Sequence, residues 1–350
     1  MAQRRVTKIH NGRIGAIGAA AVIALMLSSC SPSSGDESGN AVGELTTVDL
    51  AISVSSAMSA APFAVAQNLG YFEENGCQIG EQLEGQGGSD PLRAVIDGGL
   101  DMGEVATNAV IEGYLAGADV TIVGSSHQLP YDFTYAVRAG SGITSIKDLA
   151  GKTLGYTNPG SATEDIAYLM ADAVGLGLDE FELVPTSGMG GGIAMLEGGQ
   201  VDAALMIPLV FERQDPGVFE IGFEGLDVIE AYQKTVYVAS DTFLKENPDG
   251  VRCVLAGLHK AMQFIQDDPE AAAKIYADFD ENYEYEAILA DLKFANSRDT
   301  LSGGVGFNRV GLENVSLARQ LRTGEATPVS WSELVDVAYL PEGASSELPE

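Results

Sequence analysis

The sequence predicts an α/β protein built as two similar lobes, and three observations predict it. Its 350 residues, 45% of them hydrophobic, can bury more than one sizeable core, and the length favours two domains. From Thr47 onward, short apolar runs of strand character alternate with helix-like segments closed by glycine. A weak internal repeat, residues 94–101 and 194–202, twice sets a helix end, a double glycine and an Asp at the entry of a short apolar strand.

The segments follow in order. Arg4, Arg5, Lys8 and Arg13 form a basic leader with no acid, and an apolar run over 14–27 follows. That run is too short and too rich in small residues for a membrane span of about 20 residues, and it reads as a signal-peptide core. It ends in Leu27-Ser28-Ser29-Cys30, which is similar to the bacterial lipobox, whose Cys thiol takes a diacylglyceryl group. Residues 1–29 are therefore expected to be a lipoprotein signal peptide, with Cys30 the lipidation site. Arg4-Arg5 fits a twin-Arg signal only in part, so the export route stays open. Residues 30–46, Ser-, Gly- and acid-rich, read as a flexible linker between lipid and fold.

Residues 48–54 alternate as a strand should, and 55–61 read as a small polar loop. A helix over 62–69, with Pro62 in its first turn, would end at Gly70. Strand 78–83, helix 91–97 before Gly98-Gly99, helix 109–116 and strand 119–124 complete a first βα series. A strand over 133–137, a helix start at 159–163 running to about Val174, and a helix-like segment at 209–213 form a second series. Strand 235–239, a long helix over 251–266, and another from Asp268-Pro269 to near Ala277 follow.

With 19 Lys+Arg against 50 Asp+Glu, the formal charge is −31. No basic surface is available to neutralise phosphates, which excludes a nucleic-acid binder. The hydrophobic content excludes a disordered acidic chain. Cys30, Cys77 and Cys253 are too few for a disulfide scaffold and lack metal-ligand spacing.

The order of several short motifs resembles bacterial ABC-transporter solute-binding proteins of the sulfonate, nitrate, taurine and thiamine-pyrimidine-precursor group. The motifs are Pro62-Phe63-Ala64-Val65-Ala66 with Gly70-Tyr71-Phe72; Ile96-Asp97-Gly98-Gly99-Leu100-Asp101; Ile143 and Ser145 with Asp148-Leu149-Ala150-Gly151-Lys152; Gly198-Gly199-Gln200-Val201-Asp202; and the segment 243–248 before a long helix. They cover most of residues 47–280; beyond 280 the agreement is loose. The resemblance implies a type II periplasmic-binding fold: two lobes, two crossovers near 135–137 and 235–237, and a ligand cleft that closes by hinge motion. It places the first part of lobe 1 over 47–135, lobe 2 over 136–235, the return to lobe 1 with C-terminal helices over 236–340, and a tail over 341–350. It further implies docking on a membrane permease, and indirectly its ATPase; the expected receptor is a monomer held by lipidated Cys30 at the outer face of the cell membrane or on the periplasmic side.

In open α/β sheets ligands sit beyond the carboxyl ends of strands, near helix starts. That rule selects Ser55, Ser56 and Met58; Glu104, Thr107 and Asn108; Ser125, Ser126 and His127; Asn158, Ser161, Ala162 and Thr163; and Met206 and Pro208. The turn at 160–163 is the sharpest of these. Free N–H groups at a helix start can bind an anion, whereas Ser161 with Glu164 and Asp165 can equally form a capping turn. The selected loops hold no Arg or Lys, so a neutral or amine-bearing heterocycle fits as well as a sulfonate or nitrate. Glu104 would then meet a ligand amine, and Tyr131, Phe63 or Phe211 would stack on a ring.

The glycine run 187–192 lacks both a P-loop ending and a dinucleotide fingerprint. It reads as a flexible turn. No G-x-S-x-G elbow, H-E-x-x-H or Cys–His pairing appears, so no catalytic residue, metal or cofactor is assigned. His259, on the long helix, reads as structural. One branch of the resembled family, a pyrimidine-synthesising enzyme, carries a cysteine-rich run that is absent here. Cys77 and Cys253 form either one disulfide or two buried thiols. The leading reading is a receptor delivering a small solute to an ABC importer. The alternatives are a lipid-anchored sensor with the same fold and an enzyme of pyrimidine-precursor synthesis.

Overall fold

Strand alternation and glycine-terminated helices sort into two five-stranded sheets. The computed structural model describes residues 45–53, 57–85, 90–215, 217–326 and 328–350. The predicted leader, Cys30, linker residues 30–44, Ser55 and Ser56 lie outside them. In chain order the elements are β1 (Thr46–Ser53), α1 (Ala57–Asn68), α2 (Tyr71–Glu74), β2 (Cys77–Gly85), α3 (Asp90–Ile96), β3 (Met102–Ala106), α4 (Thr107–Leu115), β4 (Val120–His127), β5 (Thr134–Arg138), β6 (Thr153–Tyr156), α5 (Ala162–Val174), β7 (Glu182–Pro185), α6 (Met189–Glu197), β8 (Ala203–Leu205), α7 (Pro208–Phe211), β9 (Phe219–Glu224), β10 (Thr235–Ser240), α8 (Asp241–Glu246), α9 (Pro248–Asp267), α10 (Pro269–Phe279), α11 (Tyr285–Ser297), α12 (Arg309–Thr323) and α13 (Trp331–Leu334). Among the described residues no helix is long and apolar enough to cross a membrane.

The sheets share one plan. The first runs β2-β1-β3-β10-β4 and the second β7-β6-β8-β5-β9. In each, three strands of the lobe run parallel, and a strand arriving from the other lobe is inserted antiparallel beside the third. Residues 128–133 and 225–234 join the lobes, and the strands placed at 135–137 and 235–237 by the sequence begin just after these joins.

The internal repeat has a structural cause. Its two copies lead into β3 and β8, which hold the same place in their sheets. The Asp101 carboxylate accepts a bond from the Asp49 N–H on β1 (2.8 Å), and Asp202 accepts from the Thr153 N–H on β6 (3.0 Å). In return Asp101 N donates to Asp49 O and Asp202 N to Thr153 O. Each Asp therefore pins the third strand to the first, and the repeat is a register device rather than a site.

Several boundaries moved. Pro62 lies inside α1, which begins at Ala57, instead of in a first turn. Its cost of about 3 kcal/mol in a helix interior is offset by burial, since Met58, Phe63, Val65 and Ala66 are all in the core. β4 is longer than predicted and carries Ser125, Ser126 and His127 as strand residues, because pairing with β10 continues to His127. The glycine run is mostly helix: α6 starts at Met189. A Cβ at Gly191 would lie 1.9 Å from the Thr186 carbonyl oxygen, so close approach of helix and strand requires glycine there.

α9 buries Val251, Val254, Leu255, Leu258, Ala261, Met262 and Ile265, a stripe at helical spacing that packs on α1 and the first sheet. Cys253 on this helix is bonded to Cys77 at the start of β2, closing a sequence separation of 176. His259 packs against Gly304 and bonds to Gln263, and burial lowers its pKa. The C-terminal chain returns to both lobes: α12 packs on α5, and Val335 bridges to Ile122 on β4. Residues 341–350 lack regular structure, yet the Ser345 carbonyl accepts from Phe307 N.

Candidate ligand-binding site

The carboxyl ends of β3 and β4, with the start of β10, assemble a buried polar cluster. Glu104 on β3 is 2% exposed, as is His127 on β4. Ser126 Oγ donates to Glu104 Oε1 at 2.7 Å, and Thr235 Oγ1 donates to the same oxygen at 3.0 Å. His127 Nδ1 lies 3.0 Å from Thr235 Oγ1 and 3.2 Å from Ser126 Oγ. Each hydroxyl has given its proton to Glu104, so it offers His127 a lone pair. The network therefore assigns the proton to Nδ1 and leaves Nε2 a bare acceptor. Nε2 is buried and has no hydrogen-bond partner among the described residues. Gln233 fixes the strand ends by donating to Ser125 Oγ, His127 O and Thr235 O.

Both crossovers and α11 border this cluster. Lys234 pairs with Asp132 Oδ2 and lies 5.4 Å from the centre of the Phe133 ring. Asp132 Oδ1 is buried and, among the described residues, without a partner. The His127 ring stacks on Tyr131 at 6.2 Å, and Tyr131 meets Phe294 of α11 at 6.2 Å. One turn before Phe294 on that helix, Asp291 accepts the Met58 backbone N–H. Burial pushes the Asp291 carboxyl up to about 6; the charge of Asp132 adds to the rise, while the Met58 N–H, Lys234 and His127 oppose it. Other buried polar atoms without a described partner include Thr134 Oγ1 and Tyr135 OH on β5, just after the first crossover, and Thr107 Oγ1 at the start of α4, while Tyr276 OH, Thr300 Oγ1 and Ser316 Oγ lie elsewhere in the chain. Native interiors pair nearly all such groups, so His127 Nε2 and Asp132 Oδ1, both beside the crossovers, make this cluster the candidate site.

A second network ties the lobes together. Asn108, at the start of α4, donates to Gly160 O (2.9 Å) and Asp165 Oδ2 (3.0 Å) on the far lobe. Asp165 is fully buried and also accepts from Tyr232 OH (3.0 Å) and Arg322 Nε (3.1 Å). Arg322 reaches back to Glu112 on α4 at 3.0 Å. Burial raises the Asp165 pKa, against the Arg322 charge and these hydrogen bonds.

The selected residues thus divide. Glu104, Ser126 and His127 come together in the polar cluster; Ser125 supports it. Met58 is in the core of α1 and contributes its N–H. Thr107 and Asn108 open α4 at the lobe boundary. Ser161 caps α5, accepting from Glu164 N, and shares hydrogen bonds with Thr157 and Thr163; Gly160 N donates to Glu164 Oε2 at 2.6 Å. The turn is therefore satisfied by its own side chains. Ala162 is half-buried at the first residue of α5, Asn158 is exposed, Met206 is in a small lobe 2 core, and Pro208 opens α7. Phe63 is also a core residue, against Phe72 and Phe279.

Sequence reasoning missed Asp132, Lys234, Thr235 and Asp291. One signal was available: Ile288, Asp291, Leu292 and Ala295 form the buried stripe of α11, and an acid in an apolar stripe needs a reason.

Comparison with known proteins agrees with this architecture. The profile of the family described as NMT1/THI5 like matches residues 57–272. The Saccharomyces cerevisiae 4-amino-5-hydroxymethyl-2-methylpyrimidine phosphate synthase THI13 is 28% identical over 236 residues, 62% of this chain and 66% of that protein. A binding-protein relative from Brucella abortus is 23% identical over 222 residues, again 62% of this chain and 66% of the relative. The chain thus spans just under two thirds of the length of these curated relatives. The periplasmic aliphatic sulphonate binding protein SsuA from Escherichia coli superposes with a TM-score of 0.67 at 17% identity, over 87% of this chain and 96% of that one. The fold is that of two-lobed periplasmic binding proteins, and the chain belongs to the NMT1/THI5-like family.

Proposed function

We propose that this protein is the extracytoplasmic solute-binding component of an ABC importer, taking a small organic solute between its lobes and handing it to a membrane permease. One observation carries the reading: buried polar atoms without described partners gather at the strand ends where the lobes join, around His127 and Asp132. A closing cleft desolvates a small solute on all sides only when both walls meet around it. The solute is of the sulfonate, taurine, nitrate or pyrimidine and heterocycle type. Export is supported by the basic and apolar leader and by the Cys77–Cys253 bond, a linkage kept mainly in oxidising compartments. Lipidation of Cys30 would hold a monomer at the membrane through its acyl chains, each buried CH₂ adding about 0.8 kcal/mol.

The identity to the yeast synthase favours a second reading, an enzyme of pyrimidine synthesis. Against it stand the predicted export leader and the isolated cysteines, which are joined in a disulfide.

The test is thermal melting of the full chain, in detergent micelles, against sulfonates, taurine, nitrate, thiamine, pyrimidine precursors and other small heterocycles. A ligand of the native state at 100 times its Kd adds about 2.7 kcal/mol. A shift with one class, with the ligand recovered unchanged, supports a receptor. Turnover of the ligand supports the enzyme, and no shift with any class overturns the receptor reading. The mass of the Cys30 peptide reads the lipid directly.

A further inference from the structure

The charges beneath the crossovers do not balance. Glu104, Asp132 and Asp291 are each less than a tenth exposed. Glu104 is provided for by the hydroxyls of Ser126 and Thr235 and by His127 Nδ1, 3.5 Å from the same oxygen. Asp132 shares Lys234 through one oxygen only. Asp291 has the Met58 N–H and feels Lys234 and His127. Burying a carboxylate without a counter-charge is costly, and such a group neutralises itself or finds a cation. The acceptors that lack a described partner, Asp132 Oδ1 and His127 Nε2, both need a donor.

We propose that the solute carries a protonated nitrogen, a primary ammonium on an apolar or aromatic body, received by Asp291 and Asp132 Oδ1 with His127 Nε2 accepting a further N–H. This rests on the receptor reading above and names its ligand class. Three N–H groups of an ammonium match three acceptors, and the half-buried Phe294 ring, packed beside Tyr131, offers apolar surface for the body of the solute. Without the ligand, burial holds a proton on Asp291 up to a pH of about 6. Above that pH the carboxylate is free to receive the cation. Below it, the proton must leave first, so affinity falls about tenfold per pH unit. The groups facing Asp291 are Asp132 and Lys234 at the crossovers, His127 on β4, Tyr276 on α10 and Tyr283 before α11.

The experiment titrates the full chain in detergent micelles with benzylamine, benzyl alcohol and phenylmethanesulfonate at pH 8 and pH 5. Benzylamine is expected to bind best at pH 8, at least tenfold ahead of the other two, and at least tenfold more weakly at pH 5. Asp291→Asn is expected to lose at least tenfold at pH 8 and most of the pH dependence; Asp132→Asn, a second variant in case the first does not fold, is expected to show the same loss at pH 8. Binding of the sulfonate alone overturns the cation inference and keeps the receptor. Equal benzylamine affinity at both pH values in wild type and variant overturns it as well. Binding of none of the three also overturns the inference, while the receptor reading stands or falls on the wider solute panel.

Discussion

Asp291→Asn should stabilise the ligand-free protein while weakening it as a receptor. Asp291 sits in the apolar stripe of α11 and is 7% exposed. Its carboxyl is displaced from 3.8 to about 6, chiefly by burial. A folded pKa above the unfolded one means that the native state binds the proton more tightly. The associated stability is complete below about pH 4 and is lost as pH rises through about 6. Two units at 1.36 kcal/mol each amount to about 3 kcal/mol at pH 8. Asparagine cannot ionise, keeps an oxygen for the Met58 N–H, and escapes this loss. At the size of this domain 1 kcal/mol moves Tm by roughly 2 °C. The variant should therefore melt about 6 °C above wild type at pH 8 and level with it at pH 4. Melting by circular dichroism at pH 4, 6 and 8 reads both. A variant that melts lower than wild type at pH 8, or by a pH-independent margin, would refute the argument. It would make Asp291 an ordinary structural partner of α1.

Other perturbations test the frame around the site. Arg322→Ala leaves the buried Asp165 carboxylate with Asn108 and Tyr232 as its side-chain donors among the described residues, and should cost about 3 kcal/mol. In a double-mutant cycle with Asp165→Asn the two changes should couple by more than about 1 kcal/mol, and additivity within about 0.5 would count against the lobe-to-lobe tie. Replacing Cys77 and Cys253 together by Ala should lower stability by about 2–5 kcal/mol in denaturant titration, since the bond closes a long loop. Ser161→Ala with Thr163→Ala should lower it by about 1 kcal/mol through loss of the α5 cap. Unchanged solute affinity in that variant would make the turn a cap alone, whereas a direct contact adds about 0.5–1.5 kcal/mol of lost binding.

In the proposed receptor the arrangement would link capture to closure. The proposed acceptors Asp132 and His127 lie at or beside the first crossover, and the Asn108–Asp165–Arg322 network lies across the same boundary. Opening the lobes must break bonds to a fully buried carboxylate, which costs more in a dry interior than in water. A solute that supplies its own hydrogen bonds and charge at the strand ends favours the closed arrangement by its differential affinity for it.

How much was legible follows from the range of each interaction. Local rules decided the βα alternation, because strand and helix periods, glycine stops and caps act within a few residues. The same locality made Ser161 readable as a helix cap and Glu104, Ser126 and His127 readable as strand-end residues. The internal repeat was visible as letters, yet its meaning was not. Only the fold showed that Asp101 and Asp202 bind the N–H groups of Asp49 and Thr153 on neighbouring strands. Pro62 was misplaced because tertiary burial of α1 outweighs its local preference for a first turn. Asp132, Lys234, Thr235 and Asp291 come from three distant stretches of chain. Their shared environment exists only once the crossovers and α11 meet over β3 and β4. Sequence alone determined the alternating pattern and the acidity. The tertiary structure decided which carboxylates are buried together, because desolvation and long-range pairing depend on neighbours that no local pattern names.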